Sequence, residues 1–174
     1  KYRANLWKSK AQLKDEKYSA ALSTAKSIVT GAPRDKYPDI IVRARAIEAR
    51  VQVAKGEHAK GATLLKKLID DIAPAVAKER AGGADTSMQL IEAQCKNALG
   101  QCFLKKAIQS KKADDYRAAR LAFLWTVVLY SNFHEERAEA LFYGAKTFDK
   151  LGDKVRAGEL KTELTESYPD AKFE

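Results

Sequence analysis

Apolar residues recur along this chain at three- and four-residue steps, and no stretch alternates as a half-buried strand would. The clearest segment runs from Ala140 to Pro169. Leu141, Ala145, Phe148 and Leu151 fall on one helical face, and Ala157, Leu160 and Leu164 do so on a second. Gly152 between them suits the left-handed conformation that ends a helix, and Asp153 is placed to cap the next one. The ring of Pro169 cannot continue a hydrogen-bonded ladder, so the second helix stops before it. The pattern predicts two antiparallel helices joined by a tight turn, with Ala157 small because the helices cross closely there.

The same arrangement recurs upstream. Ala21, Ala62 and Ala157 are each followed twelve residues later by a proline, Pro33, Pro74 and Pro169. Four helix pairs are predicted, over 1–33, 38–74, 86–131 and 135–169, within a single domain covering 1–174. A link over 75–85, containing Gly82 and Gly83, is the expected hinge or loop. Thr86 and Gln89 have capping-box spacing and open the third pair. Counting back twelve residues from Ala62 reaches Arg50, where a small residue is expected, which points to a register slipped by one in the second pair. The third pair is long because Leu104–Asp115 adds about two helical turns. All four prolines, Pro38 included, are expected at helix boundaries, and the fold class is all-α.

The pattern resembles the tetratricopeptide repeat, whose signature runs W-x2-L-G-x2-Y, A-x3-F, P. Leu99-Gly100-x2-Phe103 and Ala119-x3-Phe123 fill its slots in the third pair, and Gly144-Ala145-x2-Phe148 leads to Ala157 in the fourth. Lys96, Ser131 and Lys161 depart from it. The resemblance implies a right-handed α-solenoid of about eight helices, with ligands held on the inner surface by the first helix of each pair. Carried over by position, the implied groove residues are Lys10, Val51, Gln101 and Lys146, with Lys14, Lys55, Lys105 and Lys150 beside them. A lysine-rich groove fits an acidic or C-terminal-carboxylate peptide. The same lysines are also what helix C-termini attract through the dipole. The Lys, Asn and Arg set with which some family members clamp carboxylates is not recognisable, although Asn97 lies near a suitable position. The closing repeat is similar to those of bacterial envelope proteins of this family, which favours the periplasm and leaves the cytoplasm open.

Charge sharpens the partner class. The chain has 32 Lys and Arg against 23 Asp and Glu, a formal net charge of +9. The surplus lies before Leu121, where 25 basic and 13 acidic residues leave +12. Acidic partners are therefore favoured through salt-sensitive steering. Lys105, Lys106, Lys111, Lys112, Arg117 and Arg120 motivate nucleic acid as an alternative, but unequal repeats cannot track successive bases. Self-assembly within a longer chain is a third reading, and the oligomeric state is open. Because the chain opens on Lys1, a preceding segment is expected.

No run approaches the roughly 18 apolar residues that span a bilayer. Cys95 and Cys102, about 10 Å apart along one helix, lie too far apart for a disulfide and read as small buried hydrophobes. His58 and His134 each adjoin glutamate at a predicted helix start and belong to no catalytic or metal motif. Without a phosphate loop, nucleophile elbow or ligand cluster, the expectation is a non-enzyme with no cofactor and no metal. Trp7 and Trp125 are expected to pack, and the apolar run Leu124–Tyr130 to lie between neighbouring units.

Overall fold

A computed structural model describes residues 1–82 and 85–173 of the chain. The described residues form eight α-helices and no strand: α1 (Tyr2–Lys14), α2 (Tyr18–Gly31), α3 (Pro38–Ala54), α4 (His58–Arg80), α5 (Ser87–Ser110), α6 (Ala113–Leu129), α7 (His134–Lys150) and α8 (Lys154–Ser167). They fall into two compact units, Lys1–Cys95 and Lys96–Glu174, divided within α5. Gly83, one half of the expected hinge, lies outside the described residues, as do Ala84 and Glu174.

In the first unit α1 packs on α2 and α3, α2 on α3, and α3 on α4. Its core is aliphatic, with Leu6, Ala25, Ile28, Ile40, Ile47 and Val51 buried together. The Tyr2 hydroxyl donates to the Gly31 carbonyl, fastening the start of α1 to the end of α2. Ser9, fully buried, donates from Oγ to the Ala21 carbonyl at 2.8 Å where these helices cross. Proline at the first position of α3 fits, since its missing N–H has no partner to lose there.

The second pair shows the register shift that Arg50 hinted at. A methyl group on Gly61 would lie 2.6 Å from Val53 Cγ2 and 3.3 Å from the Ala49 carbonyl oxygen, so Gly61 is the residue at the close crossing. Ala62, beside it, is also buried. Ser9, Ala49 and Ala145 then stand twelve residues before Ala21, Gly61 and Ala157, a uniform interval that the Ala62 register breaks.

Two expectations about this region are corrected. Helix α4 does not stop at Pro74 but runs through it to Arg80, so most of the expected 75–85 link is helical. Proline costs the ladder one N–H, yet the continuation buries Val76, and Glu79 beyond it has a structural task. Glu79 accepts the backbone N–H groups of Met88 at 3.0 Å and Gln89 at 2.9 Å. A carboxylate from the preceding helix therefore caps α5, in place of the capping box expected from Thr86 and Gln89. The Arg80–Glu92 ion pair, at 3.2 Å, reinforces this connection.

In the second unit α6 packs on α7 and α7 on α8. Phe123, Val127, Ala140 and Leu141 are buried, with Tyr143, Leu160, Leu164 and Tyr168 packed against them. Gly100 permits this, because a methyl group there would meet the Phe123 ring at 2.6–2.9 Å. Leu99, Ala119, Gly144, Ala145, Phe148 and Ala157 are buried, and Phe103 is half-buried. Arg137 ties three elements together, bonding the Val127 carbonyl at 3.3 Å, Glu163 at 2.6 Å and the Tyr168 hydroxyl at 3.3 Å.

Helix α6 is not enclosed on all sides as its apolar run suggested. Leu121 and Val128 are 64% and 70% exposed, and Trp125 is 40% exposed beneath the Lys96 ammonium. The buried side carries Ala119, Ala122, Phe123, Thr126 and Val127. Trp7 likewise stands out from α1, at 71% exposure.

Candidate functional site

The groove residues carried over from the repeat pattern fall on several surfaces. Val51 is removed from the set, since it is fully buried in the aliphatic core of the first unit. The remaining residues divide by helix position. Lys14 and Lys150 end α1 and α7, and Lys55 is the C-cap of α3. These three sit where a cation complements the helix dipole. Lys10, Lys105 and Lys146 lie within their helices, so the dipole does not account for them.

The second unit brings part of the set together. Gln101 on α5 donates from Nε2 to Glu139 Oε1 on α7 at 2.7 Å. Asn97, one turn earlier, donates from Nδ2 to Glu139 Oε2 at 2.9 Å and to the Glu136 carbonyl at 2.7 Å. Asn97, Gln101 and Lys105 share a face of α5 by their four-residue spacing. Glu139, Phe142, Lys146 and Lys150 share a face of α7 for the same reason. The Gln101–Glu139 bond thus joins the two faces into one surface, with polar amides at its floor and lysines along its length.

Lys146 is held in place. Its ammonium lies 4.0 Å from the centre of the Phe142 ring and 5.6 Å from that of Tyr143. An aromatic seat of this kind orients the side chain while leaving the charge facing solvent. Burial, with the Glu139 charge adding to it, pushes the Tyr143 hydroxyl pKa above its ordinary value, so Tyr143 remains a neutral phenol. Asn97 Oδ1 is buried and has no hydrogen-bond partner among the described residues, so the amide is anchored there through its nitrogen.

In the first unit the Lys10 ammonium lies 5.2 Å from the centre of the Trp7 ring, Lys14 is exposed, and Lys55 is 3.9 Å from Glu57. The basic cluster that suggested nucleic acid is partly neutralised. Lys106 pairs with Asp115 at 2.7 Å and Arg117 with Asp114 at 2.8 Å. Glu139 is absent from the expected site residues because its role depends on two amides some forty residues earlier. Its four- and seven-residue spacing to Tyr143 and Lys146 is the one clue the chain offered.

Cys95 and Cys102 are both buried and are not joined to each other, and burial pushes the Cys102 thiol up to about 11. Among the described residues no group of His, Cys, Asp and Glu side chains is arranged to hold a metal ion. Nor, among them, is any helix long and apolar enough to cross a membrane. His134 lies at the start of α7 with its ring edge-on to Tyr168, beside a cleft of about 440 Å³ lined by Ala138 and the segment Tyr168–Phe173. Compared with protein-family models, curated proteins and solved structures, the chain matches none.

Proposed function

We propose that this chain is a non-catalytic scaffold of tetratricopeptide-type helix pairs, stacked as a right-handed solenoid, that binds a protein or peptide partner. The observation that carries the reading is the α5–α7 surface, where the Gln101–Glu139 bond places two first-of-pair helices side by side. Fixed amides can meet the backbone of an extended peptide there, while Lys105, Lys146 and Lys150 meet carboxylates. Lys146 contributes most, because its aromatic seat reduces the conformational entropy lost on pairing. Glu139 carries one negative charge into this surface, and its two amide donors hold it at the floor rather than among the lysines.

The test is a library of peptides with free C-terminal carboxylates, screened against the chain and against a Lys146→Glu/Lys150→Glu variant. Enrichment of Asp- and Glu-rich peptides is expected, with at least about a tenfold loss of affinity in the variant. Equal binding by both proteins, or enrichment without acidic character, overturns the reading.

A further inference from the structure

We propose that the exposed face of α1 is a docking surface for anionic phospholipid membranes, separate from the peptide surface of the second unit. Helix α1 buries Leu6 and Ser9 and turns Arg3, Trp7, Lys8, Ala11 and Lys14 outward. These positions share the outward side of the helix over about 17 Å. With Lys1 before it and Lys10 at its edge, the segment Lys1–Lys14 holds five cations and no Asp or Glu. Helix α2, packed against it, contains no acidic residue either. The turn between them has Asp15 and Glu16, and Asp15 is paired with Lys17 at 3.2 Å.

At the middle of this ridge stands Trp7, 71% exposed, with the Lys10 ammonium against its ring. An indole ringed by cations distinguishes among the anionic partners. The core of a protein–protein interface is depleted in charge and surrounds its aromatic anchor with apolar side chains. On α1 the apolar neighbours facing outward are two methyl groups, those of Ala4 and Ala11. Single-stranded nucleic acid is held by successive aromatic platforms along a groove, and this helix presents one ring on a convex surface. A membrane interface calls for both features present: an indole at headgroup depth and lysines and arginines spread along a line parallel to the surface. A planar anionic surface meets several of these cations at once, with Arg3, Trp7 and Lys14 along its line of contact. Attraction of this kind is steep in charge and sensitive to salt.

The experiment uses the whole chain with Trp125→Phe, so that Trp7 is the only indole and can be excited selectively over the tyrosines. Vesicles of phosphatidylcholine containing about one-third phosphatidylglycerol are compared with phosphatidylcholine alone. Trp7 emission is expected to shift to the blue and the protein to sediment with the anionic vesicles only, both effects reversing at high salt. Arg3→Glu/Lys8→Glu changes exposed side chains outside the peptide surface, and circular dichroism checks that it folds. Each charge removed is expected to weaken partitioning about fivefold, so the double reversal lowers it well over tenfold. Unmoved Trp7 emission, or equal sedimentation of the reversal variant, overturns the proposal. So does a Trp7 response to a single-stranded oligonucleotide or a polyglutamate peptide without one to vesicles. The vesicle results leave the peptide screen untouched, since Lys105, Lys146 and Lys150 are unchanged.

Discussion

Two helix pairs, one in each unit, solve the close crossing in opposite ways. In the α3–α4 pair of the first unit both partners are small, Ala49 on the leading helix and Gly61 on the following one, and the backbones approach directly. In the α5–α6 pair of the second unit the leading helix supplies Gly100 and the following one supplies Phe123, whose buried ring occupies the space a side chain at 100 would fill. The first solution yields an aliphatic core, the second an aromatic one in which Phe123 also stacks on Tyr143 at 5.8 Å. Helix pairs of this chain therefore accommodate two kinds of core, with one glycine at the contact in each of these two pairs.

The difference predicts unequal damage from the same substitution. Gly100→Ala should destabilise the chain by about 1–3 kcal/mol, because a rigid, fully enclosed ring must shift, and the gain in helix propensity offsets only part of this. Gly61→Ala should cost less, since one Val53 methyl is the main obstacle. Urea denaturation of both variants checks the order, and a larger loss at Gly61 would show that the backbone contact, not the ring, is the tighter one.

The turns provide a second comparison. Three pairs reverse with one geometry, in which the residue in the left-handed region is Gly56 at φ +84°, Gly152 at φ +83° and Glu16 at φ +59°. The next N–H in each reaches back to a carbonyl five residues earlier: Glu57 to Gln52 at 2.9 Å, Asp153 to Phe148 at 3.0 Å and Lys17 to Gln12 at 2.8 Å. Of these three turns, only that of Glu16 carries a Cβ in that strained region; Lys111, at φ +56°, does so in the link between α5 and α6. Glu16→Gly is expected to stabilise the first unit by about 1 kcal/mol and Gly152→Ala to destabilise the second by a similar amount. Thermal unfolding of the two variants checks the opposite signs; equal signs would mean that the turns differ in more than this residue.

These turns also show what the sequence revealed and what it hid. The Gly152 turn, the Asp153 cap and the inward Ala157 were legible because each rests on a local backbone requirement. The Asp153 side chain does accept the Arg156 N–H, at 3.1 Å. The first turn was harder to read, with Glu16 where glycine is the usual signal. Pro74 misled for the converse reason: proline marks a missing N–H, but whether a helix ends there depends on what lies beyond, here Val76 and Glu79. The candidate surface was least legible. Lys146 could be placed by position, but its aromatic seat is a local pairing that the signature ignores. Glu139 is defined by a contact between helices, which periodicity along one helix does not record. The outward face of α6 was misread because an apolar run shows which residues can be buried, not which ones a neighbour covers.

The smallest effects expected are electrostatic, and the units again differ in sign. Burial raises the Glu48 pKa in the first unit above its ordinary 4.5, with Lys26 and Arg45 opposing the shift. In the second unit a hydrogen bond from Lys106, aided by one from Ser110, lowers the Asp115 pKa below its ordinary 3.8. A carboxyl raised on folding is easier to keep when protonated, so Glu48 costs stability once pH climbs past 4.5 and through the raised value. Glu48→Gln should therefore raise Tm at neutral pH, with the gain vanishing below pH 4.5, where the wild-type group is protonated in both states. A carboxyl lowered on folding contributes above its unfolded value and loses that contribution as pH falls toward the folded one. Asp115→Asn should lower Tm slightly at neutral pH, with the deficit closing only below pH 3.8. Melting curves across this acid range separate the two. If Glu48→Gln lowers Tm at neutral pH, the Lys26 and Arg45 charges outweigh burial, and the first unit holds its half-buried carboxylate by ion pairing as the second does.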